Sequence, residues 1–309
     1  MSDQDVENSS AAPVKVRLLT FDWLPFTDDL SASESLYDAM DSLSADGAFF
    51  GNHYLQKSGV SGIVEGFTAG LCDAQPVQGR VLIFGGGATP TLDLRSLPDS
   101  LSSEFCGSVS DGLVLPEADF CWLHFESHGT AEETGLEAVL PLLRSLLEPE
   151  CVVFVTSLAG RAQQSTRFES LLAESLIHAP LWVLGAGAGC CRVQTLTGSH
   201  DVGCTIQQLL RRGSCVAGGQ SELDNGPIDL VPLCYGPGLN LRRELLIEHE
   251  AAKAVRCDDF LLVSCVSSPN TALSERRMAL YAKPEDVWNL NDVAGEYHAV
   301  VDELIRRLT

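Results

Sequence analysis

The chain alternates between short, uniformly apolar runs and longer stretches whose apolar residues recur every three or four positions. The pattern is clearest in the middle. Cys151 to Gly160 reads as a strand buried on both faces that runs out into a turn at Gly160. Ahead of it, Leu136, Val139, Leu140, Leu143, Leu146 and Leu147 fall on one helical face. Behind it, Phe168, Leu171, Leu172 and Leu176 do the same, with Ser165 as the expected N-cap. A second strand-like run, Ala179 to Gly185, closes the block. Helix, strand, helix, strand predicts an α/β protein with a parallel sheet. Ligands of such sheets sit beyond the carboxyl ends of the strands, so residues 156–160 are where chemistry is expected.

The same reading extends outward. Val14 to Asp22 predicts the first strand, ending in an acid. Residues 31–47 predict a helix, with a Ser31/Glu34 capping box, a buried stripe of Leu36, Met40 and Leu43, and Gly47 closing its C-terminus. Ala48 to Tyr54 predicts a short strand or turn. Val81 to Phe84 and Ala118 to Phe125 predict further strands, the second carrying His124 and leading into a loop with His128. Residues 199–210 predict a capped helix with basic residues at its end, and 214–240 a long loop. The last helix presents Tyr297, Val300, Val301, Leu304, Ile305 and Leu308 on one face. The expected organisation is a disordered acidic tail over 1–13, an α/β core over 14–240, and C-terminal strands with a terminal helix over 241–309, packed on the core.

Composition narrows the function classes. The 309 residues are 45% hydrophobic, enough for a sizeable core. The net charge is −22, from 42 acidic and 20 basic residues. Such a surface repels nucleic acid and anionic membranes. No apolar run is long enough to span a bilayer, and residues 1–13 lack the basic start and apolar run of a signal peptide. Eleven scattered cysteines, an odd number without regular spacing, predict reduced thiols in a cytoplasmic protein. Cys190 and Cys191 are adjacent, not spaced as a zinc or redox pair.

Few residues carry chemistry. Asp22, at the end of a first parallel strand, suits either a metal ligand or a solvated cap. Gly59 to Gly62 has part of a nucleophile elbow around Ser61, but Ile63 occupies the final glycine position. Gly85, Gly86 and Gly87 precede Pro90 and lack the lysine of a phosphate loop, so they read as a turn.

The order of these motifs resembles the sulfatases of the alkaline phosphatase superfamily. Thr156-Ser157-Leu158-Ala159-Gly160 sits where that family ends a strand in Thr-Ser-Asp-His-Gly, and Ala179-Pro180-Leu181 matches its next landmark. Phe50, Asn52 and Tyr54 resemble the segment before the family nucleophile, with Ser58 and Ser61 at the nucleophile region. There Val60 and Gly62 stand for the family's Pro and Arg. His128 matches a substrate-contacting His, and Leu280 to Leu290 resembles the family's C-terminal ending. The resemblance implies a metal-binding Asp at Asp22, but its usual neighbouring Asp is Trp23. It places Leu158 and Ala159 at lost ligand positions, because neither side chain has an oxygen or nitrogen.

The expected function is thus a sulfatase-like pseudoenzyme with a binding or regulatory role, no cofactor, and a protein or small-molecule partner. The alternative is a hydrolase of sulfate or phosphate esters with a rebuilt Ca or Mg site. It would use Asp22, Ser58 or Ser61, and His128, with Asp28, Asp29 or His53 as further ligands.

Overall fold

The computed structural model describes residues 14–24, 34–57, 60–68, 79–84, 97–107, 115–126, 136–159, 172–185, 187–211, 226–235, 242–249, 252–265 and 277–308. The tail over 1–13, residues 160–171 of the helix expected behind Ser165 with its turn, and Ser58, Asp28, Asp29 and His128 lie outside these residues; Leu172 and Leu176 of that helix are described, the latter in a short helix over 174–177.

Among the described residues, ten strands and five α-helices build the larger part. They are β1 (Lys15–Phe21), α1 (Glu34–Asp46), β2 (Gly47–Phe50), β3 (His53–Tyr54), α2 (Val60–Phe67), β4 (Gly79–Phe84), β5 (Leu101–Gly107), β6 (Phe120–Phe125), α3 (Leu136–Leu146), β7 (Cys151–Ser157), α4 (Glu174–Ile177), β8 (Leu181–Gly185), β9 (Cys191–Val193) and α5 (Ser199–Leu210), with the short strand β10 (Thr197–Gly198) before α5. Eight strands form the central sheet in the order β5-β4-β6-β1-β7-β8-β2-β9, and β10 pairs with β3 beside it. β5, β4, β6, β1 and β7 run parallel.

The sheet is mixed at its other side. β8 is antiparallel to both β7 and β2, whereas β9 is parallel to β2. This corrects the expectation that Ala179 to Gly185 continues the parallel series. Every residue of β7 is buried, as are Leu181 to Leu184 of β8. A run that is apolar on both faces carries no directional information, so the sequence pattern cannot tell the two pairings apart.

The strands are apolar on both sides because helices cover both faces. Val16, Leu18, Val81, Phe120, Trp122 and Phe154 form one core with Val64 and Phe67 of α2 and Val202 and Ile206 of α5. Leu19, Phe21, Leu82, Leu123, Val153 and Val155 form the other with α1 and α3. The α1 stripe of Leu36, Met40 and Leu43 is buried as its spacing predicts. Gly47 does not cap α1, however; it begins β2. A Cβ there would collide with the Val183 carbonyl of β8, so strand contact, not helix termination, requires the glycine.

The C-terminal part is an antiparallel meander of β11 (Glu244–His249), β12 (Ala252–Cys257), β13 (Phe260–Cys265) and β14 (Arg277–Ala282), followed by α6 (His298–Ile305). Its strands alternate with period two. Leu245, Ile247, Ala254, Leu261, Val263 and Tyr281 face Tyr54, Ile177 and Leu196 of the larger part. Val255, Leu262 and Leu280 face the other way, under Leu304 and Leu308 at the end of α6. Tyr297, expected on the buried face of that helix, is instead 45% exposed at its N-cap, tilted against Phe260.

Candidate functional site

β1, β6 and β7 end level with one another. Phe21 is in register with both Phe125 and Ser157, so Asp22 and Leu158 leave adjacent strands side by side. The backbone secures this edge. Asp22 N–H donates to the Phe125 carbonyl at 3.3 Å, and Leu158 N–H donates to the Phe21 carbonyl at 2.8 Å.

A polar relay stands behind Asp22. Trp122 Nε1–H donates to Thr20 Oγ1 at 2.7 Å, and Thr20 Oγ1 lies 3.0 Å from His124 Nδ1. Trp122 can only donate, so Thr20 Oγ1 accepts from it. His124 Nε2, the other ring nitrogen, faces Asp22 Oδ1 at 3.3 Å. His124 is fully buried and the Asp22 side chain is 19% exposed. The relay fixes the carboxylate's orientation while leaving one edge toward solvent.

Leu158 behaves differently. It is 5% exposed and belongs to the core with Val64, Phe67, Trp122 and Phe154. Its side chain completes the apolar layer. Ala159 follows it, half-buried. Thr156 and Ser157, next to them on β7, are fully buried, and neither hydroxyl has a hydrogen-bond partner. Ser61 lies in the first turn of α2, the helix covering the Thr20–His124 face; its side chain is outside the described residues. Thus the structure brings together Asp22, Leu158 and Ala159, and adds His124 and Thr20.

His53 is elsewhere. It sits on β3, past the end of β2, which lies three strands from β1, a lateral offset of about 14 Å at ordinary strand spacing. Its Nδ1 is 3.1 Å from Thr197 Oγ1. Burial pushes its pKa down to about 3, with His178 and Arg242 adding to the effect. It is a core histidine, not a partner of Asp22.

A divalent cation such as Ca²⁺ takes six to eight oxygen ligands and Mg²⁺ an octahedral set. Asp22 supplies one carboxylate, while Leu158 and Ala159 supply no donor. Among the described residues no group of three or more His, Cys, Asp or Glu is placed to hold a metal ion. The described residues therefore do not fit the metal that the resemblance implies.

Two further polar clusters went unrecognised in the sequence. Asp201, fully buried in the first turn of α5, receives both Arg242 guanidinium nitrogens at 2.6 and 2.8 Å. It also accepts the N–H groups of Gly198 and Ile228. The second cluster joins the two sheets. Glu174 receives the Tyr54 hydroxyl at 2.7 Å and pairs with Lys283 at 2.9 Å, and Arg256 Nε donates to the Tyr54 oxygen. His178 stacks on Tyr54 and donates Nε2–H to the Gly51 carbonyl. Burial alone would raise the Glu174 pKa, but Lys283, His178 and Arg256 outweigh it and hold the carboxylate below its usual range. Burial pushes His178 down to about 4, partly opposed by Glu174. In both clusters buried charges are paired with each other and link separate elements, which identifies them as structural.

The nine described cysteines are all free thiols. Burial raises the pKa of Cys121, Cys151 and Cys234, the last to about 12, so these behave as core residues and not as nucleophiles. No helix among the described residues is long and apolar enough to cross a membrane.

No protein-family model matches the chain. Nor does any curated protein match it. Solved structures do. A phosphonate monoester hydrolase of Agrobacterium radiobacter superposes with a TM-score of 0.63 at 12% identity, over 96% of this chain and 95% of that one. A sulfatase from Pseudoalteromonas sp. gives 0.60 at 12% identity, over 97% and 90%. An alkaline phosphatase superfamily protein from Vibrio parahaemolyticus gives 0.58 at 12% identity, over 94% and 88%. The fold is that of the sulfatases and their superfamily relatives.

Proposed function

We propose that this sulfatase-fold chain is a pseudoenzyme, which acts by binding and not by hydrolysing sulfate or phosphate esters. The observation that carries the reading is Leu158. It stands beside Asp22 at the strand ends, and its side chain is buried in the core instead of serving the site. Asp22 faces the His124 imidazole, and among the described residues no group of three or more His, Cys, Asp or Glu is placed to hold a metal ion. Ester hydrolysis in such a fold needs a cation to stabilise charge on the transferred group and an activated nucleophile. Two substitutions at the centre of the site remove the donors for the first requirement.

One observation favours the second reading, a hydrolase with a rebuilt site. Asp22 is still oriented by the Trp122–Thr20–His124 relay and partly open to solvent, as a working carboxylate would be. The two readings separate in one set of assays. Aryl sulfate and aryl phosphate monoesters are incubated with untagged protein supplemented with Ca²⁺ or Mg²⁺. The pseudoenzyme reading expects background rates and no stoichiometric metal by elemental mass spectrometry. Turnover that Asp22→Ala abolishes would sink it and establish the hydrolase. We also propose a cytoplasmic location, which the free thiols of the nine described cysteines support.

A further inference from the structure

A groove crosses the opposite end of the central sheet, at the amino ends of the strands. Its larger compartment, about 680 Å³, is lined by Lys15, Arg80, Asp99, Glu117, Asp119 and Glu150, among others. It adjoins a smaller compartment of about 320 Å³ through shared walls at Lys15, Pro116 and Glu117. Leu115, Leu142 and Leu146 give that compartment apolar walls beside the C-terminal turns of α3.

The charges on the rim do not cancel. Lys15 is taken by Glu148 at 3.3 Å, and Arg80 by Glu104 at 2.7 Å. Arg17, at the back of the small compartment, is buried against the carbonyls of Val16 and Ala118. Asp99, Glu117, Asp119 and Glu150 are exposed and form no ion pair among the described residues. Four carboxylates thus face the large compartment, whose two cations, Lys15 and Arg80, are each already ion-paired. The C-terminus of α3, the negative end of the helix dipole, adds to the same potential. A concave wall of low dielectric concentrates such a field.

We infer that this groove docks a basic, extended segment of a partner protein, with Lys or Arg side chains in the large compartment and an adjacent Leu-sized residue in the small one. Charge complementarity selects a cationic partner over nucleic acid or an anionic surface, both of which the net charge of −22 repels. The three leucines set among the polar groups of the small compartment favour a peptide over a simple inorganic cation or a polyamine, because only a peptide places an aliphatic side chain next to its charges. The inference goes beyond the reading of the carboxyl end and holds whether or not Asp22 supports turnover.

The test uses the full chain and a fluorescein-labelled Arg-Leu-Lys-Arg-Leu-Lys peptide, followed by fluorescence anisotropy at about 0.15 M salt. A peptide with Glu at every basic position is the control. The groove double variant Glu117→Lys with Asp119→Lys is compared with Glu285→Lys and Glu296→Lys, two exposed residues of the C-terminal part. Both changes shift the net charge equally. The groove variant is expected to weaken binding about tenfold or more, and the distant one by less than about threefold. Leu142→Ala is expected to weaken the labelled peptide but not a variant peptide with Ser at each Leu. Equal weakening by the two double variants means diffuse attraction to an acidic surface and overturns the proposal. So does failure of the peptide to bind at about 1 mM. Should the groove variant melt early by circular dichroism, Asp99→Lys with Glu150→Lys takes its place.

Discussion

At the residue scale, the fold keeps several ionisable groups in states that water would not choose. His53 and His178 are neutral in the interior, with pKa values down to about 3 and about 4 against 6.5 in the unfolded chain. Between those values the unfolded chain binds protons that the folded chain refuses, so stability rises with pH. Their contribution is complete above pH 6.5 and is lost as pH falls through 6.5 toward 4. Each site gives a slope of up to about 1.4 kcal/mol per pH unit. Glu174 acts in the same direction at lower pH, because its folded pKa is depressed below 4.5. Urea midpoints should therefore fall between pH 7 and pH 5, and His53→Asn, which keeps a partner for Thr197, should flatten that fall. An unchanged slope in the variant would show that His53 is not the proton acceptor. The relay behind Asp22 was only partly legible in sequence. Thr20 and His124 interrupt two apolar runs, but that they meet depends on register.

At the element scale, the strand ends decide where side chains go. Gly185 closes β8 with a φ of +80°, and a Cβ there would collide with the Cys151 carbonyl across the β7–β8 pair. Gly185→Ala should cost on the order of 2–4 kcal/mol, from left-handed backbone strain and overpacking together. Chemical denaturation would measure it. A loss below about 0.5 kcal/mol would mean that the turn relaxes freely. The buried stripe of α1 and the apolar face of α3 were legible because helical spacing reports a face directly. The edge strand β5 was not foreseen. Ser102 to Phe105 are all exposed, and a strand without a buried face has no alternation to read.

At the scale of the whole molecule, the two sheets share an interior. Tyr54, Ile177 and Leu196 are buried against β11 to β14, and the Glu174 cluster draws Lys283 and Arg256 from the C-terminal part. Removing one side of a buried ion pair costs about 3–5 kcal/mol. A chain ending at residue 240 is accordingly expected to bind a hydrophobic dye and lose its cooperative melt. A soluble, sharply melting fragment would show instead that the larger part folds alone.

The apolar runs, their helical and strand periods and their order were enough to determine the α/β class. Together with the motif resemblance they also specified the sulfatase-like fold, because burial patterns are written along the chain. That Leu158 and Ala159 offer no donor atoms at the end of β7 was legible in the same way, because their side chains lack them whatever the fold. Tertiary structure alone decided the antiparallel turn of β8, the pairing of Asp22 with His124 and the buried ion pairs. It alone placed Leu158 in the core and gathered four distant acids around one groove. Each of these depends on which strands become neighbours and in what register. That choice is made by long-range packing, which no local window of the sequence contains.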